Sequence, residues 1–217
     1  MMIEDKTPGT SARMRTFLLR TLAGAVVGYA SAAGLMYFIE GPVGGLSISA
    51  TVAALVGLIY TVIGLAVGLG TASPRIGARF LNVEDADELR EQKKVLTLSG
   101  AAMTLWGIAL MAVALAAPDG PVLPAVALAV GAGAMLVGTW LSVPVYRASD
   151  ELMRAISLEC GAVSFGLVLL VVGFWAMLAH LGYAGGPGPL DLISLFYVLM
   201  LLASFIVIGR RGMLMPR

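Results

Sequence analysis

The chain has 217 residues, of which 59% are hydrophobic and 12% charged; its mean hydropathy is +0.93 and its formal net charge +1. Soluble domains carry about a quarter charged residues, so this composition excludes water as the main solvent. Cys160, the single cysteine, excludes an internal disulfide and says nothing about compartment.

Taken in chain order, the apolar residues fall into six stretches near 17–39, 49–70, 96–117, 122–145, 158–181 and 190–209. Each matches the ~20 helical residues that cross a ~30 Å hydrocarbon layer. Outer-membrane strands would alternate apolar and polar residues over ~10 positions, whereas "AGAVVGYASAAGLMYFI" and "LVLLVVGFWAML" are apolar all round. A backbone in lipid must satisfy its own hydrogen bonds, which makes each stretch a helix. The first follows Arg13 and Arg15 and contains "ASA" at 30–32, as a cleaved signal peptide would. Its apolar run continues to Ile39, about 23 residues against the usual 7–15, so it reads as an uncleaved span. Arg20 is one turn from the end of that span, where snorkelling relieves most of the cost of its charge.

The basic residues alternate with the spans. Lys6, Arg13, Arg15 and Arg20 precede or open the first; Arg75, Arg79, Arg90, Lys93 and Lys94 lie between the second and third; Arg147 and Arg154 between the fourth and fifth; Arg210, Arg211 and Arg217 after the sixth. The other three connections hold Glu40, Asp119 and Asp191 and no base. The positive-inside rule therefore places both termini in the cytoplasm, and no loop conflicts with it.

The outer connections "EGPVGG" (40–45), "PDGPV" (118–122) and "GGPGPLD" (185–191) read as short turns, with Pro121 or Pro189 in a first helical turn. Such short links predict successive spans that are antiparallel neighbours, giving an all-α polytopic membrane protein of three hairpins, 17–70, 85–145 and 148–209. These form one transmembrane domain, 17–209, between a cytoplasmic N-terminal segment (1–16) and a basic tail (210–217). Two hairpins open on a similar phrase, "DADELREQKK" and "ASDELMRA". In the first, Asp85 and Glu88 fit a capping box, and Asp87 with Arg90 and Glu91 with Lys94 have helical spacing. The helix would run about 15 Å in water before the bilayer. The second starts at Ser149 or Asp150, with an Asp150–Arg154 pair at i,i+4 and acids at the positive end of the dipole. "SGAA" at 99–102 resembles "CGAV" at 160–163, each followed by a tryptophan, Trp106 or Trp175. A duplicated two-helix unit accounts for these likenesses.

Each chemical candidate has a plainer structural reading. Gly24 with Gly28, Gly57 with Gly64 and Gly68, Gly100 with Gly107, and Gly131 with Gly138 make stripes that suit a subunit interface, but six helices in one chain already need such close packing. Glu159, beside Cys160, is the acid nearest the membrane interior; an acid there is a default ion or proton site, yet it is within reach of the interface or Arg154. His180, with Tyr183, and likewise Trp140 and Tyr146, suit headgroup anchoring. No P-loop, metal cluster or nucleophile elbow is present. Spans 2, 3 and 6 offer only Ser, Thr and Tyr at mid-depth, too little for a proton pump, haem protein or intramembrane protease. No cofactor, metal or catalytic residue is expected, and no direct binding of nucleic acid.

The string "DELMRAISLECGAVSFG" resembles a pattern in small uncharacterised inner-membrane proteins of proteobacteria: Asp-Glu, an Arg shortly after, then Ile-x-Leu-Glu and a small-residue apolar helix. Asp150, Glu151, Arg154, Ile156, Leu158 and Glu159 match it, with a partial copy at Asp87, Glu88 and Arg90. Such proteins resemble membrane companions of small helix-turn-helix regulators. The resemblance implies a bacterial inner-membrane location and a protein partner, with Asp87, Glu88, Arg90, Asp150, Glu151, Arg154 and Glu159 as the candidate docking residues. The expected function is a non-enzymatic scaffold or regulatory partner that presents charged helix stems to a cytosolic or membrane protein; the alternative is a small-solute transporter or channel subunit. On the alternative, hydroxyls such as those of Tyr29, Tyr60 and Thr104 would face one hydrated cavity; on the first reading they are dispersed and packed.

Reporter fusions test the topology. Fusions at both termini and within 71–95 and 146–156 are expected to report cytoplasm, and those at 40–45, 117–121 and 184–188 periplasm; one robust reversal refutes six spans.

Overall fold

The computed structural model describes residues 10–72, 92–118 and 120–213, with side chains from Thr21 onward and at Leu18. The side chain of Arg20 and the segment 85–91, where a helical stem with a capping box and ion pairs is expected, lie outside what the structure describes. Among the described residues the fold is all-helical: α1 (Thr10–Phe38), α2 (Ile48–Ala72), α3 (Lys93–Ala114), α4 (Pro124–Ala148), α5 (Glu151–His180) and α6 (Pro189–Arg210). A π-helical turn, Ile39–Val43, extends α1. Six helices are long and apolar enough to cross a membrane, as a multi-pass membrane protein requires. Their outward faces carry Leu22, Leu69, Leu128, Leu136, Phe165 and Leu170, all mostly exposed; apolar surface on that scale is rare on soluble monomers and ordinary against lipid.

The most extensive helix pairing is between α2 and α3, which are joined by a long connection; α3 also packs along α4, α5 along α6, and α6 against α2. The α2–α3 pairing follows from which residues are small. A Cβ placed on Gly64 would sit 2.5–2.6 Å from Thr104 Oγ1 and the carbonyl oxygen of Gly100, and one on Gly57 2.8 Å from the carbonyl oxygen of Gly107. Each helix sets a Gly-x₃-Thr unit, Gly57–Thr61 or Gly100–Thr104, against a glycine of the other. Thr61 and Thr104 donate back to the carbonyls of Gly57 and Gly100, both at 2.8 Å, so neither hydroxyl is left without an acceptor. The register runs Gly57 to Gly107 and Gly64 to Gly100, which makes the two helices antiparallel. Backbones this close gain dispersion contacts where lipid supplies no hydrophobic drive. Gly131 and Gly138 serve α4 in the same way against α3. These stripes are therefore intrachain packing surfaces.

Gly24 and Gly28 differ, since nothing lies within 4 Å of a Cβ at either. Successive spans at the start of the chain are not a packed hairpin: α1 meets the bundle chiefly at its C-terminal end, where Ile39 is 2% exposed and Leu35 and Met36 join the core of Ala53, Ala54, Tyr60 and Leu110. The reason is local. Gly44 (φ 81°) and Gly45 (φ 100°) end the π-turn in left-handed conformations, and Gly45 N–H closes on the Ile39 carbonyl at 2.9 Å. The chain thus turns at a fixed point, while the small face of α1 stands off the Leu55, Ile59 and Val62 side of α2, leaving a groove between them.

The outer turns correct one expectation. Pro189 opens α6 as read from the sequence, but Pro124 rather than Pro121 opens α4. Residues 115–122 instead fold on themselves, Val122 N–H donating to the Leu115 carbonyl and Ala117 N–H to that of Val122. Gly120 is required in this loop, because a Cβ there would collide with the Leu115 backbone.

Gly64→Ala is expected to force α2 and α3 apart and cost about 1–3 kcal/mol, read as a lower unfolding midpoint in detergent. Gly28→Ala, with open space around it, is expected to leave the midpoint unchanged.

Candidate functional site

The bases whose side chains are described gather at one end of the bundle: Lys93 and Lys94 at the start of α3, Arg147 at the end of α4, Arg154 near the start of α5, and Arg210 and Arg211 at the end of α6. Among the described residues the opposite end holds Glu40 and Asp191 and no Lys or Arg. Asp191 serves its own helix, accepting from Gly188 N–H at 2.9 Å.

Of the seven candidate docking residues, Asp87, Glu88 and Arg90 lie outside the described residues. The other four sit on the first three turns of α5. Asp150 is the N-cap, its Oδ1 accepting from Met153 N–H at 2.7 Å; Ser149 does not take that place and donates back to the Val145 carbonyl. The expected Asp150–Arg154 ion pair does not form. Arg154 turns toward α4, donating to the carbonyls of Tyr146 (3.1 Å) and Arg147 (2.8 Å) and lying over the Tyr146 ring. These carbonyls end α4 and lack N–H donors within the helix, so a guanidinium fork is a natural cap for them. Arg154 therefore clamps the α4–α5 corner, and Tyr146 is part of that clamp. Glu159 pairs with Arg211, not Arg154: Nε at 3.0 Å and a second guanidinium nitrogen at 2.5 Å share Oε2. Both side chains are 35% exposed, a setting in which an ion pair contributes about 0–1 kcal/mol. Glu151 alone of the four engages no other described residue and is exposed.

The Glu159–Arg211 pair marks where α6 ends alongside α5. From Glu159 back to Glu151 the helix runs on for about 12 Å. At 30 residues α5 is about 45 Å long against a hydrocarbon layer of ~30 Å. Its charged start is thus a rigid stem, capped by Asp150 and braced by Arg154.

At mid-depth the hydroxyls named from the sequence do not converge. Tyr29 is 78% exposed on α1, and Thr104 bonds within α3. Tyr60 is buried and donates to the Tyr197 carbonyl at 2.7 Å, while Tyr197 Oη–H donates to that of Trp106 at 3.1 Å. The rings of Tyr60 and Trp106 each meet that of Tyr197 edge-to-face. Sequence reasoning missed a different set. Ser99, Ser142 and Ser204, on three helices, line one cavity of about 220 Å³ together with Tyr60, Ala102, Met103, Trp106, Val145, Met200 and Leu201. No motif joins these serines, because their meeting depends on the register of four helices.

Trp106 and Trp175, matched by the sequence, have different surroundings. Trp175 Nε1–H donates to the Gly185 carbonyl at 2.7 Å. Trp106 Nε1 is buried without an acceptor, packed where Gly138 has no side chain. Gly100 is likewise pressed against α2, while its counterpart Gly161 has open space. Cys160 is a half-buried free thiol, and among the described residues no group of His, Cys, Asp or Glu could hold a metal ion. Set beside family profiles, curated proteins and solved structures, the chain matches none of them.

Arg154→Ala is expected to release the corner, so that amides of 151–157 exchange with solvent several-fold faster while the global unfolding midpoint barely moves. Glu159→Gln is expected to shift stability by less than about 1 kcal/mol.

Proposed function

We propose that the protein is a non-enzymatic, multi-pass component of the bacterial inner membrane, with both termini cytoplasmic, that presents charged helix stems to a protein partner. The observation that carries this reading is the stem at the start of α5. Eight residues extend past the Arg211–Glu159 level, held rigid by the Asp150 cap and the Arg154 clamp, with Glu151 exposed and unengaged among the described residues. A preorganised helix end loses little conformational entropy when a partner binds it. Three of the four described candidates are already employed in the chain's own architecture, which narrows the docking role to Glu151, with Asp87 and Glu88 as the corresponding acids of the other stem. The segregation of bases to one end supports the orientation.

The second reading, a small-solute carrier or channel subunit, is favoured by the cavity that collects Tyr60, Ser99, Ser142 and Ser204. It ranks lower because no charged group lines that cavity, which removes the ion-coupling sites on which active carriers depend.

The test is recovery of whatever co-purifies from native membranes in mild detergent. Changing Asp87, Glu88 and Glu151 to Lys, with Asp150 retained because it caps α5, is expected to abolish capture of a basic partner while insertion and melting stay unchanged, since like charges penalise association. The corresponding amides should weaken capture only partly. Full recovery with the triple Lys variant, correctly inserted, refutes the docking face; uptake of a solute by proteoliposomes would instead favour the carrier.

A further inference from the structure

The four-helix cavity has a polarity that the docking reading does not use. Tyr60, Trp106 and Tyr197 are bonded to one another and share one level of the bundle. Ser99 lies seven residues from Trp106 along α3, and Ser204 seven residues from Tyr197 along α6, each about 10 Å nearer the basic end. Ser142 lies four residues in the same direction from Gly138, which faces the Trp106 indole. The register therefore brings three hydroxyls, one from each of α3, α4 and α6, to nearly the same level at one end of the cavity. The aromatic rings and Met103 close the other.

The hydroxyl hydrogens decide what the cavity would bind. Ser142 Oγ–H is committed to the Gly138 carbonyl (3.1 Å), Ser204 Oγ–H to that of Met200 (3.0 Å), and Tyr60 Oη–H to that of Tyr197. What these three offer an occupant is lone pairs. Trp106 Nε1–H, the donor that might have reversed this, is packed against Gly138 and shielded from the space. Ser99 engages no described residue and serves as either donor or acceptor. No ionisable side chain other than Tyr60 lines the site, which opens between helices on one side, so a charged occupant would find no counter-ion there. The volume, about 220 Å³, is below the 300–1,000 Å³ usual for drug-sized ligands and corresponds to about seven water volumes. Met200 is exposed and stands at the rim, toward the lipid.

We propose that this cavity is a binding site for a small, uncharged, amphiphilic hydrogen-bond donor, such as a short-chain alcohol, held with its O–H against Ser99, Ser142 and Ser204 and its apolar part against Tyr60, Met103 and Trp106. The site prefers donors over acceptor-only isosteres, which only Ser99 can serve, and its occupancy is independent of any partner at the α5 stem.

Two isomeric probes test the selectivity, 3-bromo-1-propanol and 2-bromoethyl methyl ether; they share one composition, and only the first donates. The full-length chain with Trp140→Phe and Trp175→Phe, reconstituted in lipid nanodiscs, leaves Trp106 as the fluorescent reporter of bromine contact. The alcohol is expected to quench it saturably, above the linear background from lipid partitioning, with an apparent affinity about 3- to 10-fold better than that of the ether, the value of one net hydrogen bond. Ser142→Ala with Ser204→Ala is expected to bring the two probes together by weakening the alcohol alone, and Ser142→Leu to remove the saturable component for both. The double alanine variant only deletes atoms, and its circular dichroism and melting confirm the fold if the leucine variant fails to assemble. Linear quenching indistinguishable between the probes, as expected of a cavity that holds water only, overturns the proposal. So does a donor preference that survives in the double alanine variant.

Discussion

The close approach of α2 and α3 is the contact on which the rest of the bundle depends. Two Gly-x₃-Thr units face each other's glycines so closely that a single methyl group has no room. The hydroxyls of Thr61 and Thr104 are absorbed by carbonyls one turn back on their own helices, so the glycine contacts rest on packing, and one interhelical hydrogen bond, between the hydroxyls of Thr71 and Thr97 (2.9 Å), joins the two helices near the basic end. Once α3 is fixed on α2, its other faces are available to α4 through Gly131 and Gly138 and to α6 through Tyr197. A central α3 thus organises the bundle, while α1 stays attached mainly through Ile39. In lipid this hierarchy follows from small residues, because apolar side chains as such have no preference for one another over acyl chains.

At the charged end, the same residues that read as a recognition pattern are engaged in building the helix that carries them. Asp150 satisfies an orphan N–H of α5, Arg154 satisfies orphan carbonyls of α4, and Glu159 holds the last turn of α6. An architectural role and a docking role are compatible here, since bracing a stem is what makes it a defined surface. The division of labour is nevertheless sharper than the sequence indicates: bracing falls to three residues, and among the four described candidates Glu151 alone is left exposed and unengaged.

The interior polar groups are few, and their hydrogens are mostly committed to backbone carbonyls. That pattern lowers the cost of hydroxyls in the membrane, and it leaves lone pairs as the main polar feature of the cavity lined by Ser99, Ser142 and Ser204. An environment with acceptors, aromatic faces and no charge suits a neutral occupant far better than an ion.

Six membrane-spanning helices were legible in the sequence, because spanning is decided by the length and apolarity of each stretch, independent of its neighbours. A helix start at Ser149 or Asp150, the first-turn proline at Pro189 and the glycine-containing turns between spans were legible for the same reason: their chemistry is completed within a few residues. The partner of each side chain was not. Arg154 had an acid one turn away and took α4 carbonyls instead; Glu159 had Arg154 in reach and took Arg211, 52 residues on. Pairing of α2 with α3 rather than with α1, and the meeting of Ser99, Ser142 and Ser204, depend on helix register and rotation, which many positions set jointly through packing. The sequence by itself determined which segments are long and apolar enough to cross a membrane; only the tertiary structure decided which faces meet, because in a medium that rewards burial of no particular apolar surface, fit between backbones makes that choice.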